Sequence, residues 1–191
     1  MNEVQALAVN ASARKSDGTR HKCFISYHVK DINEVKIFVD TFGEEFIPVT
    51  VGVSEGDDFI NSTNEDYIKE RIRTNYLSNS TVTIVLVGSE TWGRKYVDWE
   101  ISSSLRNDTV NKRNGLLLLT LPSMNGNARL PQRAEDNWSA GNLDTSYAKY
   151  YRTPELHDKA TLRSYIDDAF QARATRDASV NNSRPLRQRN A

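Results

Sequence analysis

The sequence predicts an α/β protein in three layers, with a central parallel sheet of about five strands covered by helices on both faces. Two near-continuous apolar runs, residues 81–87 and 116–121, are typical of strands that are buried on both sides. Segments with apolar residues at helical spacing alternate with the strand-like runs along the chain. Because alternating strands and helices favour parallel pairing through crossover connections, the helices are expected to cover both faces of the sheet.

Each predicted strand is a short apolar or alternating run that stops at a polar loop. The run at residues 81–87 is rich in β-branched residues, and we expect it at the centre of the sheet. Pro48 cannot donate a ladder hydrogen bond, so its segment is expected at a sheet edge or at a strand start. The predicted strands are residues 23–27, 46–53, 81–87, 116–121 and 147–151.

The predicted helices show apolar residues three and four positions apart. They cover residues 31–42, 64–77, 91–105 and 154–172. In the third of them, Val97, Ile101 and Leu105 share one face, which is expected to pack on the sheet. Residues 123–146 form a connection that is longer than usual for a compact domain, which indicates a functional or a locally folded segment.

Length and composition indicate one domain with loose ends. The 191 residues are 38% apolar and 26% charged, enough to form one buried core. We predict a flexible N-terminal arm over residues 1–20, the folded domain over residues 21–172 and a basic flexible tail over residues 173–191. The tail contains several arginines and few large apolar residues, which favours a solvated segment over a basic contact arm.

Charge and cysteine content exclude several classes of protein. Basic and acidic side chains number 25 each, so no net field would draw the protein to nucleic acid or to an anionic membrane. The lone Cys23 cannot form an intramolecular disulfide, and no signal segment or membrane-spanning run is visible, so we expect a cytoplasmic protein. Metal-ligand spacing, glycine-rich phosphate loops and the hydrolase nucleophile elbow are missing, so no metal is predicted.

Candidate ligand-binding residues follow two of the predicted strands. In a parallel sheet, ligands bind beyond the carboxyl ends of the strands, where the strand order reverses. Ser26 and His28 alternate onto the same side, so both can point into one pocket, although a purely structural role for His28 remains open. Ser89 follows the central strand and can cap the next helix, whose free N–H groups favour an anion such as a pyrophosphate.

Glu100 is the main candidate for chemistry. It lies with Tyr96 on the third predicted helix, at the border of the buried face, and Trp92 and Trp99 are close in sequence. Aromatic walls would give a flat ligand a stacking surface and would give the carboxylate a dry environment. The alternative is that Glu100 pairs with a neighbouring basic residue while the indole rings fill the core.

Three segments resemble the TIR-like family that includes the TIR-like proteins of Thoeris antiphage systems. They are residues 22–28 (KCFISYH), 81–89 (TVTIVLVGS) and 92–101 (WGRKYVDWEI). Later segments also look like this family, namely residues 130–133 (LPQR), 136–137 (DN) and 147–151 (YAKYY). The resemblance therefore covers about residues 22–172 and implies a flavodoxin-like, TIR-like fold.

The resemblance also implies a reaction. TIR enzymes cleave the nicotinamide–ribose bond of NAD, and Thoeris members make a cyclic ADP-ribose-type signal that activates a partner effector. The essential glutamate of the family lies on the helix after the third strand, and Glu100 holds the matching position, so it is the expected catalytic residue. NAD would be a substrate, and no separate cofactor is expected. Substrate contacts are expected from Ser26, Tyr27, His28, Ser89, Trp92, Tyr96 and Trp99.

Two other functions stay open. Many TIR domains are adaptors that assemble into scaffolds, and a nucleotide sensor would bind NAD or a cyclic nucleotide without consuming it. TIR sites are often completed by a neighbouring subunit, so a homo-oligomer is expected. An effector protein would be reached through the nucleotide signal, with no role for nucleic acid or membrane.

Overall fold

The computed structural model describes residues 20–51, 57, 59–108, 112–139 and 145–191. The arm predicted over residues 1–20 thus lies outside the described residues, except for Arg20, whose guanidinium donates to the Glu44 carbonyl at 3.1 Å. Part of the long connection predicted over residues 123–146 also lies outside them. The described residues of that connection include a short helix, so it is locally folded in part.

The described strands form one parallel sheet in the order β2-β1-β3-β4-β5, which is the flavodoxin-like order. The predicted fold class is therefore confirmed. The strands are β1 (Lys22–Tyr27), β2 (Ile47–Val51), β3 (Val82–Val87), β4 (Gly115–Thr120) and β5 (Lys149–Arg152). The α-helices are α1 (Ile32–Phe42), α2 (Glu65–Ile72), α3 (Lys95–Ser104), α4 (Gln132–Glu135) and α5 (Lys159–Thr175).

The central strand is β3, as its β-branched sequence predicts. It pairs with β1 through Cys23 opposite Val82, and with β4 through Val82 opposite Gly115. Pro48 is the second residue of the edge strand β2, where a missing N–H is tolerated. The predicted residues 52 and 53 of this strand lie outside the described residues.

Two predicted helices divide into shorter elements. Asn64 caps α2, because its side-chain oxygen accepts the Tyr67 N–H at 3.1 Å. The α-helix ends at Ile72, and a wider π-turn over Arg73–Leu77 follows and buries both of its end residues. The predicted helix at residues 91–105 starts instead as a 3₁₀ turn, Thr91–Gly93, because Arg94 is extended and separates that turn from α3.

The helices cover the two faces of the sheet. One face packs on α1 and α5 and buries Ile25, Ile84 and Leu117 among other aliphatic and aromatic side chains. The other face packs on α3, and the predicted stripe of Val97, Ile101 and Leu105 is buried against β3 and β4. None of the helices in the described part of the chain has the length and apolar character needed to cross a membrane.

Residues 180–191, which we call the strap, lie along α3 and differ from the solvated tail that was predicted over residues 173–191. Helix α5 continues through Arg173 to Thr175, and the strap follows a short turn. Leu186 is 2% exposed and packs in a cluster with Trp99 and residues of α2. Arg184 forms two hydrogen bonds of 2.8 Å with Asp136. Composition missed this segment because one buried leucine and several specific polar contacts hold it in place.

Candidate active site

The carboxyl ends of β1 and β3 meet where the strand order reverses, as the ligand rule for parallel sheets requires. The loops after these two strands touch at Gly88, because a Cβ there would lie 2.3 Å from the Asp31 carboxylate. The Gly88 N–H donates to the Thr91 hydroxyl at 2.9 Å, which fixes the start of the turn that leads into α3. A glycine is therefore needed at position 88 to let the two loops approach.

Glu100 lies on α3 with its carboxylate beneath the end of β1. The Ser26 hydroxyl donates a hydrogen bond to Glu100 Oε2. Ser26 is completely buried and Glu100 is 2% exposed. The sequence placed these two residues in one candidate site, and the structure brings them into direct contact across 74 positions of the chain.

His28, which follows β1, and Trp92, in the turn after β3, line a small cavity of about 120 Å³. The remaining lining residues are Glu90, Gly93, Arg94, Asn190 and Ala191. One face of the Trp92 ring is covered by Arg129, whose guanidinium carbon lies 3.6 Å from the ring centroid. Such a cation over an indole is attracted to its π-face, so Arg129 holds the orientation of the ring.

The surroundings of the His28 ring favour its neutral form. Its Nδ1 accepts the Lys30 N–H at 3.1 Å, so in the neutral ring the proton is on Nε2. Burial lowers the pKa of His28, and the nearby Arg94 guanidinium lowers it further. The Glu90 carboxylate lies 3.8 Å from Nε2, beyond hydrogen-bond distance, and is itself hydrogen bonded to Lys30. His28 thus presents an N–H donor at the edge of the cavity.

Tyr96 and Trp99 are packed into an aromatic and aliphatic cluster on the α2 side of α3. Their rings meet edge to face with centroids 5.6 Å apart, and they are 7% and 2% exposed. The Trp99 indole N–H donates to the Arg187 carbonyl of the strap at 2.8 Å. In this conformation both rings therefore support α3, and neither presents a free face for stacking.

Tyr27 and Ser89 lie apart from the Glu100–Ser26 pair. Tyr27 alternates to the opposite sheet face, where it packs against the cluster of α1 and α5. Ser89 is exposed and does not cap a helix, since Glu90 and Arg94 occupy the cap positions of the 3₁₀ turn and of α3. The capping role that we predicted for Ser89 is wrong, because the helix begins several residues later.

A buried ion pair between α4 and α3 supports the helix that carries Glu100. Arg133 of α4 is fully buried and donates to both oxygens of Asp98, at 3.0 Å and 3.2 Å. It also donates to the strap carbonyls of Arg184 and Pro185, at 2.8 Å and 3.0 Å. A charge at this depth needs all of these acceptors, because unpaired burial is very costly.

The strap contributes to this site, which the sequence did not predict. Asn190 Oδ1 accepts the Lys95 N–H at 2.9 Å, at the first residue of α3. The Ala191 N–H donates to the Gly93 carbonyl at 3.0 Å. The available signal was Leu186, a large apolar residue among arginines and polar residues, but one residue at no regular spacing does not predict a docked segment.

A family model described as the Thoeris protein ThsB, TIR-like domain, matches residues 24–126, more than half of the chain. The chain belongs to this TIR-like family. The resemblance predicted from the sequence is confirmed over these residues, which include every candidate site residue from Ser26 to Glu100. A comparison with curated proteins gave no match.

The family match covers only part of the described structure. It runs from β1 to the loop after β4 and contains the whole Glu100–Ser26 site. Membership in a Thoeris TIR-like family supports a role in antiphage defence signalling. Strand β5, helix α5 and the strap lie outside the matched region, so the TIR-like match gives no information about the strap.

Proposed function

We propose that this TIR-like protein cleaves the nicotinamide–ribose bond of NAD and that Glu100 is its catalytic residue. The observation that supports this most is the buried Glu100 carboxylate, held by the Ser26 hydroxyl at the switch point of the sheet. Glu100 is 2% exposed, and burying a carboxylate costs free energy, so its position at the ligand-binding edge of the sheet is what a functional carboxylate would require.

The chemistry of the bond suits a single carboxylate. When the glycosidic bond breaks, its electron pair leaves with the ring nitrogen and nicotinamide departs as a neutral molecule, so no strong general acid is needed. The ribose develops positive charge at C1′, in an oxocarbenium-like transition state. Glu100 would stabilise this charge through space or through the ribose hydroxyls. Water, or the adenine ring of the same molecule, then adds to C1′ and loses a proton.

Other residues of the site would act on binding. Ser26 would fix the direction of the Glu100 carboxylate, and His28 would donate from Nε2 to a ribose or phosphate oxygen. Trp92 lines the cavity and would face the nicotinamide or adenine ring. Tyr96 and Trp99 would act indirectly, by holding α3 in position.

In the Thoeris setting, the product would be a signal. Attack by adenine rather than water gives a cyclic ADP-ribose-type nucleotide, which would activate a partner effector in antiphage defence. A homo-oligomer would be the active form, since TIR sites are often completed by a neighbouring subunit. The proposed partner is therefore reached through a diffusing nucleotide, without direct contact.

The experiment that tests the proposal is nicotinamide release from NAD by the purified protein at high concentration, with and without phage-infected lysate. Glu100→Gln should reduce the rate by at least about 100-fold, the size of effect that removal of one charge-stabilising group commonly has. Glu45→Gln is the matched control. Glu45 is also a buried glutamate, but it pairs with Arg163 and Lys159 of α5 rather than with a residue of the candidate site. Its rate should equal that of the wild type.

Three outcomes would contradict the proposal. Release that is equal in wild type and Glu100→Gln, with both folded, would remove Glu100 from the chemistry. Saturable NAD binding without any release under either condition would favour the nucleotide sensor. If neither binding nor release occurs, the adaptor function is favoured.

A further inference from the structure

We propose that the strap is a gate on the candidate active site, and that its residues 188–191 must leave the start of α3 before a dinucleotide can reach Glu100. The identity of the ligand rests on the proposed function. The gate itself is inferred from how the strap is held and from what it covers. Nothing in the family match extends to this segment, since the match ends at residue 126.

The first half of the strap is firmly anchored. The Asn181 and Asn137 groups exchange two hydrogen bonds, of 2.7 Å and 2.8 Å. The Asn182 side chain donates to the Ser102 carbonyl at 2.9 Å and accepts from Arg133 at 2.9 Å. Leu186 then enters the cluster formed by Trp99 and the α2 residues. These contacts combine buried apolar surface with a fully buried guanidinium, so this half should stay in place.

The second half is held more weakly. Arg187 is still anchored, because its N–H donates to Asp98 Oδ2 at 2.9 Å and its carbonyl accepts from the Trp99 indole at 2.8 Å, whereas residues 188–191 are exposed. Their contacts with the start of α3 are the Asn190–Lys95 hydrogen bond and the Ala191–Gly93 hydrogen bond. Exposed hydrogen bonds contribute little net stability, because water replaces them when they break. Release of residues 188–191 about Arg187 would therefore leave the rest of the fold intact.

The second half of the strap lies where it can control access to the cavity. Asn190 and Ala191 line the same cavity as His28 and Trp92. With the strap in place this cavity is about 120 Å³, whereas small-molecule sites typically measure about 300–1,000 Å³. Glu100 is 2% exposed and hydrogen bonded to Ser26, so it does not meet solvent. A dinucleotide fits only after a wall of the cavity moves, and the strap is the wall with the weakest attachment among the described residues.

A reversible cross-link tests this inference. An ideal Cβ placed on Gly93 lies 3.1 Å from the Ala191 Cβ, close to the about 3.5–4.5 Å of a disulfide. Gly93→Cys combined with Ala191→Cys should therefore form a bridge under oxidation, when the two thiols lose their protons and two electrons to the added oxidant. Cys23 should not interfere, because it is fully buried and burial raises the pKa of its thiol.

The readout is nicotinamide release before and after reduction with dithiothreitol. The bridged protein should show background release, and reduction should restore it; the two single variants, which cannot form the bridge, should not respond to oxidant. Bridged protein that is as active as reduced protein would overturn the gate.

A second readout separates failure of the gate from failure of the proposed function. Carbethoxylation of His28 by diethyl pyrocarbonate, followed by mass spectrometry, reports access to the cavity without any nucleotide. It should be faster in the reduced double variant than in the bridged one, even if neither cleaves NAD. Equal rates of His28 modification in the two forms would overturn the gate whatever the activity.

A single substitution should loosen the gate instead of locking it. Asn190→Ala removes the hydrogen bond to the Lys95 N–H, and His28 modification should become about five-fold faster, as expected for the loss of one net hydrogen bond. Asn181→Ala is the matched control, since that exposed side chain accepts from Ser183 within the anchored half. An unchanged rate in Asn190→Ala, or an equal increase in both variants, would contradict the inference.

Discussion

The two faces of the sheet bury different kinds of side chain. The face under α1 and α5 is closed by aliphatic and phenylalanine side chains from strands and helices. The face under α3 buries, besides its apolar cluster, a set of polar and charged groups: Ser26, Thr83, Asp98, Glu100, Ser102, Ser103, Ser104, Asn114 and Arg133. Apolar packing tolerates approximate fit, whereas buried polar groups need specific partners. The candidate site lies on the face under α3, where the buried polar groups need specific hydrogen-bond partners.

The largest effect that separates the two faces should come from Arg133→Ala. The substitution leaves the Asp98 carboxylate buried without its guanidinium and removes the anchor of the strap. We expect the free energy of unfolding to fall by about 3–5 kcal/mol, as for other broken buried pairs. Urea denaturation followed by circular dichroism measures this value.

Two further variants sharpen that result. Arg163→Ala removes an exposed arginine that pairs with Glu45 at 2.6 Å. Because Lys159 stays 3.8 Å from Glu45, the substitution should cost less than about 1 kcal/mol. Asp98→Leu combined with Arg133→Met should cost less than Arg133→Ala alone, because no buried charge stays unpaired. Equal losses of unfolding free energy in Arg133→Ala and Arg163→Ala would contradict the comparison, because the buried ion pair would then stabilise the fold no more than a surface pair does.

A smaller effect is expected on the apolar face, from Gly115→Ala. A Cβ at this position would lie 2.0 Å from the Ala169 carbonyl oxygen, so the backbone of α5 would have to move away from β4. We expect a loss of about 1–3 kcal/mol, the usual range for overpacking. Gly93→Ala is the control, since its new Cβ would approach Ala191 to only 3.1 Å, and it should cost less. Equal losses would show that the contact between α5 and β4 is easily adjusted.

The smallest effect concerns the pH dependence that His28 gives to the polar face. The folded pKa of His28 is lowered from 6.5 by burial and by Arg94, so below pH 6.5 the unfolded chain binds a proton that the folded chain does not. Stability therefore decreases as the pH falls through this window and is fully present above it. His28→Gln should remove this decrease, and Arg94→Gln should weaken it. Parallel stability curves for wild type and His28→Gln would contradict the prediction.

The sequence predicted what depends on local pattern. Residues 81–87 predicted a central strand because β-branched residues in an unbroken run fit only a strand covered on both faces. The stripe of Val97, Ile101 and Leu105 predicted which face of α3 packs on the sheet. Family resemblance, rather than periodicity, singled out Glu100, whereas its hydrogen bond with Ser26 was not predicted and is seen only in the structure.

Long-range polar contacts could not be predicted. The strap binds through residues such as Asn182, Asn190 and backbone carbonyls, and these groups have no period that a sequence pattern reveals. Tyr27 shows a related difficulty, because motif position suggested a site residue while strand alternation turns it to the other face. Ser89 was predicted to cap the helix after β3, but Arg94 is extended and α3 begins only at Lys95.

The order in which the ribosome makes this chain has a consequence for the strap. Leu186 bonds to Glu65, 121 positions earlier, and Arg187 bonds to Asp98, 89 positions earlier. During synthesis, every strand of the described sheet has left the exit tunnel before residues 180–191 appear. Each newly made molecule therefore passes through an interval in which the sheet is complete and the start of α3 is still open to the water and solutes around it.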